Sequence, residues 1–170
     1  MELTNTSKTT TKKSTLCSSR QSAMKLINHL HGVEKTSTLY HEVLSNKVQD
    51  RWIKSVLLEQ LLPSIQKKKE TLYLFIRIMD LHPQDTDTSG INGIMNECFR
   101  EIEDMGNEGR VDDIILQTLV VILHYKLGNY RILLSYLQNL DIDFKVFILQ
   151  EIIQRDEHHL DTLLAALKLD

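Results

Sequence analysis

The sequence predicts an all-α protein, a single-domain multi-helix bundle or a short irregular α-solenoid of about eight helices. Three observations carry that expectation. Apolar residues recur at helical spacing through most of the chain, above all between Val111 and Leu169. Only six Gly and two Pro punctuate 170 residues, too few for a turn-rich β architecture. Hydrophobic residues make up 42 % and charged residues 25 %, values of an ordinary globular domain and not of a disordered chain.

Taken in order, Met1–Gln21 holds ten Ser/Thr, four Lys/Arg and one acid, with almost nothing large and apolar. Such a stretch buries too little surface to offset its ordering entropy, so residues 1–21 read as a flexible tail and 22–170 as the helical domain. Ser22–Leu30 places Ala23, Leu26, Ile27 and Leu30 on one helix face, with Gly32 as a stop. Ser37 or Thr38 can cap Leu39–Val48 through Leu39, Val43 and Leu44, and Asp50 can cap Arg51–Leu62, with Trp52, Val56, Leu57, Leu61 and Leu62 as its core face. Pro63 marks a break, since proline fits a first turn but not a helix interior. Ser64–Leu81 follows, then a polar loop, Gln84–Gly93, and a helix over Ile91–Met105.

Gly106–Gly109 reads as a turn, and Asp112 or Asp113 falls in the first turn of a central helix that is apolar on most sides. Gly128-Asn129 is a stop signal, followed by shorter helices over Tyr130–Leu137, Phe144–Ile153 and Leu160–Leu167, the last two capped by Asp141 and Asp156.

Chemistry-bearing motifs are sparse. Asp85, Asp87, Ser89 and Gly90 match the opening positions of an EF-hand calcium loop, which they resemble. Position 12 is Asn96 where the bidentate Glu belongs, so the resemblance implies at most weak cation binding. The seven histidines are not at ligand spacing: His29 and His31 diverge on a helix, as do His158 and His159, and Ser45 stands where a zincin helix after His41-Glu42 needs its second His. Gly-x-Ser-x-Gly, a Walker lysine and a local Cys–base signature are absent. The expectation is a non-enzyme without metal or cofactor.

Charge is split. Met1–Lys69 carries twelve Lys/Arg against five Asp/Glu, and Glu101–Asp170 six against thirteen. Such polarity steers encounter with a partner or with another copy of the chain. Lys67-Lys68-Lys69 reads as a solvated basic face, and the acidic C-terminal half argues against nucleic acid. Leu-Gly-Asn-Tyr at 127–130 resembles an inter-helix corner of tetratricopeptide repeats, but the rest of that 34-residue pattern is missing. The Ser/Thr-rich start resembles the export signals of bacterial type III secretion substrates and, more loosely, an organelle transit peptide.

No apolar run approaches the roughly 18 residues of a membrane span. The expected function is therefore that of a soluble helical interaction module: an adaptor, chaperone-like or regulatory subunit that binds another protein or itself. Its place is cytoplasmic, or inside a host cell if the tail is an export signal of a virulence effector or secretion regulator. Surplus apolar residues in the last third point to the binding face: Tyr130, Tyr136, Phe144 and Phe147 as anchors, rimmed by Asp141, Asp143 and Glu151.

Overall fold

The computed structural model describes the backbone of residues 6–105, 111–140 and 142–167, with side chains from residue 19 onward. Five helices and no strand are found among the described residues: α1 (Thr6–Lys47), α2 (51–78), α3 (Ser89–Met105), α4 (Val111–Gln138) and α5 (Asp143–Leu167). The expected count of about eight is thus corrected to five, and the arrangement is a bundle. α4 packs against α1, α3 and α5, while α1 packs against α2, α3 and α4. Asp141 and the Gly106–Gly109 turn lie outside the described residues.

Fewer, longer helices result because three stop signals are overridden by continuous buried stripes. Along α1 the stripe runs Ala23, Ile27, Leu30, Val33, Ser37, His41 and Leu44 without losing register at Gly32. Gly32 is instead a point of close approach. Gln84 N–H donates to the Asn28 side-chain oxygen at 3.3 Å and the Thr86 hydroxyl to the Asn28 carbonyl at 3.4 Å. A Cβ at position 32 would overlap the Thr86 hydroxyl. The helical backbone begins at Thr6, within the stretch assigned to the tail.

α2 runs through Pro63. Its ring cannot donate to the Glu59 carbonyl and would crowd it in a regular α-helix. The preceding segment, Val56–Leu61, is wound as a wider π-turn, with Leu62 N–H reaching back to Leu57 O, and this accommodates the proline. Asp50 caps the helix by accepting from Ile53 N–H at 2.9 Å. The far end is a Schellman motif: Asp80 adopts φ 55°, Asp80 N–H bonds Arg77 O and Leu81 N–H bonds Ile76 O.

α4 likewise continues through Gly128-Asn129, because Leu127, Tyr130, Leu133 and Leu137 extend its buried stripe. Asp112, in its first turn, accepts the N–H groups of Gln49 (2.9 Å) and Asp50 (2.7 Å), tying the α1–α2 corner to the start of α4. The expected break between Phe144–Ile153 and Leu160–Leu167 is also missing. Asp156, expected as a cap, is buried in mid-helix and bonded to Lys68.

Gly128 is exposed, and a Cβ there meets nothing within 4 Å. Gly128→Ala should therefore stabilise the protein by about 0.5–1 kcal/mol in urea unfolding, the usual difference in a helix interior. Gly32→Ala should give no gain, because Thr86 occupies the space. Equal gains at both positions would contradict this account of Gly32.

Candidate functional site

Four formal charges meet in the middle of the bundle. Glu34 comes from α1, Lys68 from α2, Lys126 from α4 and Asp156 from α5, and each is at most 3 % exposed. Each occupies a core position on its own helix, so the helical period carries it inward with the apolar residues one turn away. Lys68 Nζ donates to both Asp156 oxygens at 2.8 Å and lies 3.6 Å from Glu34 Oε1. Lys126 Nζ pairs with Glu34 Oε2 at 2.6 Å. The Tyr130 hydroxyl donates to Glu34 Oε1 at 2.8 Å, and Lys68 Nζ sits 5.9 Å from the centre of the same ring.

Two carboxylates and two ammoniums leave the cluster neutral, which is the condition for ions to survive away from water. The balance between burial and attraction differs from group to group. Burial pulls the Lys68 ammonium down, but Glu34 and Asp156 outweigh it and its pKa stands above the ordinary value. Lys126 also loses to burial and has only Glu34 in contact, so its pKa falls to about 8. Burial, then the Glu34 and Asp156 charges, holds the Tyr130 hydroxyl protonated well above its usual range. Beside the cluster, His41 donates from Nδ1 to the Ser37 carbonyl at 2.8 Å. Burial, with the Lys126 charge, pulls its pKa to about 3. These groups are closed off from solvent and pair with one another, Glu34 Oε2 through its ion-pair contact with Lys126 alone; the arrangement ties helices together.

The basic triplet is thereby divided: Lys67 is exposed, Lys69 partly buried, and Lys68 belongs to the core. Other expectations also shift. Trp52, assigned to a core face, is 44 % exposed. His29 Nε2 shares a hydrogen bond with the Tyr125 hydroxyl at 3.1 Å. In the loop that resembles an EF-hand, the Asp87 carboxylate accepts from Ser89 N–H at 2.8 Å and starts α3.

Among the residues expected to bind a partner, Tyr130 is corrected: it is wholly buried and bonded to Glu34, so it is a core residue and not a surface anchor. Tyr136 is half-buried against the core. Phe144 and Phe147, however, are 65 % and 59 % exposed at the start of α5. Spacing of i, i+3 and i+7 puts Phe144, Phe147 and exposed Glu151 on one face, with exposed Asp143 beside them. An acid-rimmed aromatic pair thus faces outward, on the side of α5 opposite Leu149, Ile152, Ile153 and Asp156. No helix among the described residues is long and apolar enough to cross a membrane.

No protein-family model and no curated protein matches the sequence. Among solved structures, the fold is similar to that of YcfI from Rhodopseudomonas palustris, described as a "putative structural protein". The TM-score is 0.79 at 16 % sequence identity, over 85 % of this chain and 92 % of that one. At that identity the likeness shows the shared helical fold.

His41 gives a pH test. The folded state keeps its ring neutral down to about pH 3, whereas an unfolded histidine takes up a proton below about pH 6.5. Its contribution to stability is therefore fully present above 6.5 and is lost as pH falls through the window from 6.5 to 3. Between pH 6.5 and 5 the wild type should lose about 1.5–2 kcal/mol more than His41→Asn in urea unfolding. Identical pH slopes for the two proteins would show that the ring is not held neutral.

Proposed function

We propose that this chain is a non-enzymatic helical protein–protein interaction module, an adaptor, chaperone-like or regulatory subunit, whose docking face is the start of α5. The observation that carries the reading is the exposure of Phe144 and Phe147 side by side. Single exposed apolar residues are ordinary, but two phenyl rings one turn apart form a contiguous patch. Covering each ring would gain about 1.5–3 kcal/mol. Aromatic anchors within a polar rim are the usual composition of a binding hot spot, and Asp143 and Glu151 supply the rim.

A photo-crosslinking amino acid placed at Phe147 in the full chain, in its native cells, tests this. Adducts to protein at discrete masses are expected, and Phe144→Asp should diminish them strongly. If position 147 yields nothing beyond what the same probe gives at Gln66, an exposed position on α2, the docking assignment fails.

A further inference from the structure

A second surface, on the other half of the chain, has the complementary character. On α1, Leu39 and Val43 are 60 % and 42 % exposed, one turn apart. Lys35 and Lys47 stand one turn before and one turn after them, both exposed. Beside Leu39 the extended segment after α2 runs across α1, held by the hydrogen bonds to Asn28. Between them lies an open groove of about 270 Å³, lined by His31, Lys35, Leu39, Pro83 and Thr86, with Asp85 on the loop side. Burial, then Lys35 and Lys69, holds the His31 pKa below its ordinary value; the charged side chains lining the groove are Lys35 on the α1 wall and Asp85 on the loop.

The two surfaces carry opposite charge, Lys35 at the groove against Asp143 and Glu151 beside the aromatic pair. A cavity of about 150 Å³ is enough to hold benzene, so this groove has room for one phenyl ring. The aromatic pair on α5 is rimmed by Asp143 and Glu151; the α1 wall of the groove carries Lys35. The surplus of Lys and Arg in the first 69 residues and of Asp and Glu in the last 70 gives the same polarity over the whole chain.

We infer that the occupant of the α1 groove is the Phe144–Phe147 face of a second copy of this chain, in a head-to-tail contact. The inference rests on the reading of that face as a docking site and names its partner. Because the two patches differ, the contact is heterologous: each added copy leaves one groove and one aromatic face free, so assemblies close into rings or grow. The charged rims steer the encounter, and added salt slows it.

The test uses sedimentation velocity of the full chain across a concentration series, with two variants, Leu39→Asp and Phe144→Asp/Phe147→Asp. The wild type should self-associate. Each variant should sediment as a monomer, with its dissociation constant raised about 30-fold or more, as for a hot-spot residue. Mixed together, they should form a 1:1 dimer and nothing larger, because only one intact groove and one intact aromatic face remain. A wild type that stays monomeric throughout, or helical variants whose mixture does not pair, would overturn the inference. Should either variant unfold, Lys35→Glu and Glu151→Lys replace them; each should weaken association alone, and the two should restore it when mixed. Adducts from position 147 to a different protein, with none to this chain, would overturn the second copy as occupant while leaving the docking face intact. No adduct of either kind would remove both.

Discussion

The contact on which the bundle depends is the buried meeting of Glu34, Lys68, Lys126 and Asp156. Each ion carries a desolvation penalty of several kcal/mol that only close, well-directed partners offset. The partners come from α1, α2, α4 and α5, so none of these four helices can slide or rotate without stranding a charge. Apolar contacts alone tolerate a range of registers; an ammonium donating to both oxygens of one carboxylate at 2.8 Å does not. Tyr130 extends the same constraint, since its hydroxyl is spent on Glu34 and its ring packs over Lys68.

With the interior fixed in this way, the surface is free to specialise. Lys68 on α2 and Asp156 on α5 are joined to each other, which sets the inward side of α5 and turns Phe144 and Phe147 outward. On α1 the residue that faces the core is Glu34, and Leu39 and Val43 fall on the opposite side. The outward placement of both apolar patches follows from where the charges point inward.

Helical class and most helix positions were legible from periodicity and composition; the four aromatics read together as anchors were not separable there into buried Tyr130, half-buried Tyr136 and exposed Phe144 and Phe147. The helix number was not. Gly32, Pro63 and Gly128 are local stop signals of about 1–3 kcal/mol, and long buried stripes outweigh them. Gly32 shows why local reading fails: the glycine answers to Thr86, more than fifty residues away. The ionic core was also missed, although its trace is present. Glu34 stands one turn after Leu30, Lys126 one turn after Ile122 and one before Tyr130, and Asp156 one turn after Ile152 and one before Leu160. A charge at a core position on an apolar stripe asks for a buried partner, and four such positions, two of each sign, ask for one another. Lys68 was hidden because it sits in a run of three lysines, where composition suggests a solvated face.

At 16 % identity the similarity to YcfI shows the helical fold alone. The most direct measurement of the central claim is urea unfolding at pH 7 of Asp156→Asn beside Arg131→Ala, which removes the exposed Arg131–Glu157 pair. Asp156→Asn leaves Lys68 charged and buried, and should cost about 3–5 kcal/mol; Arg131→Ala should cost less than about 1 kcal/mol. Replacing Lys68 and Asp156 together by Met and Leu should recover most of the loss. An Asp156→Asn protein within about 1 kcal/mol of wild type would mean that the buried charges do not hold the bundle in register.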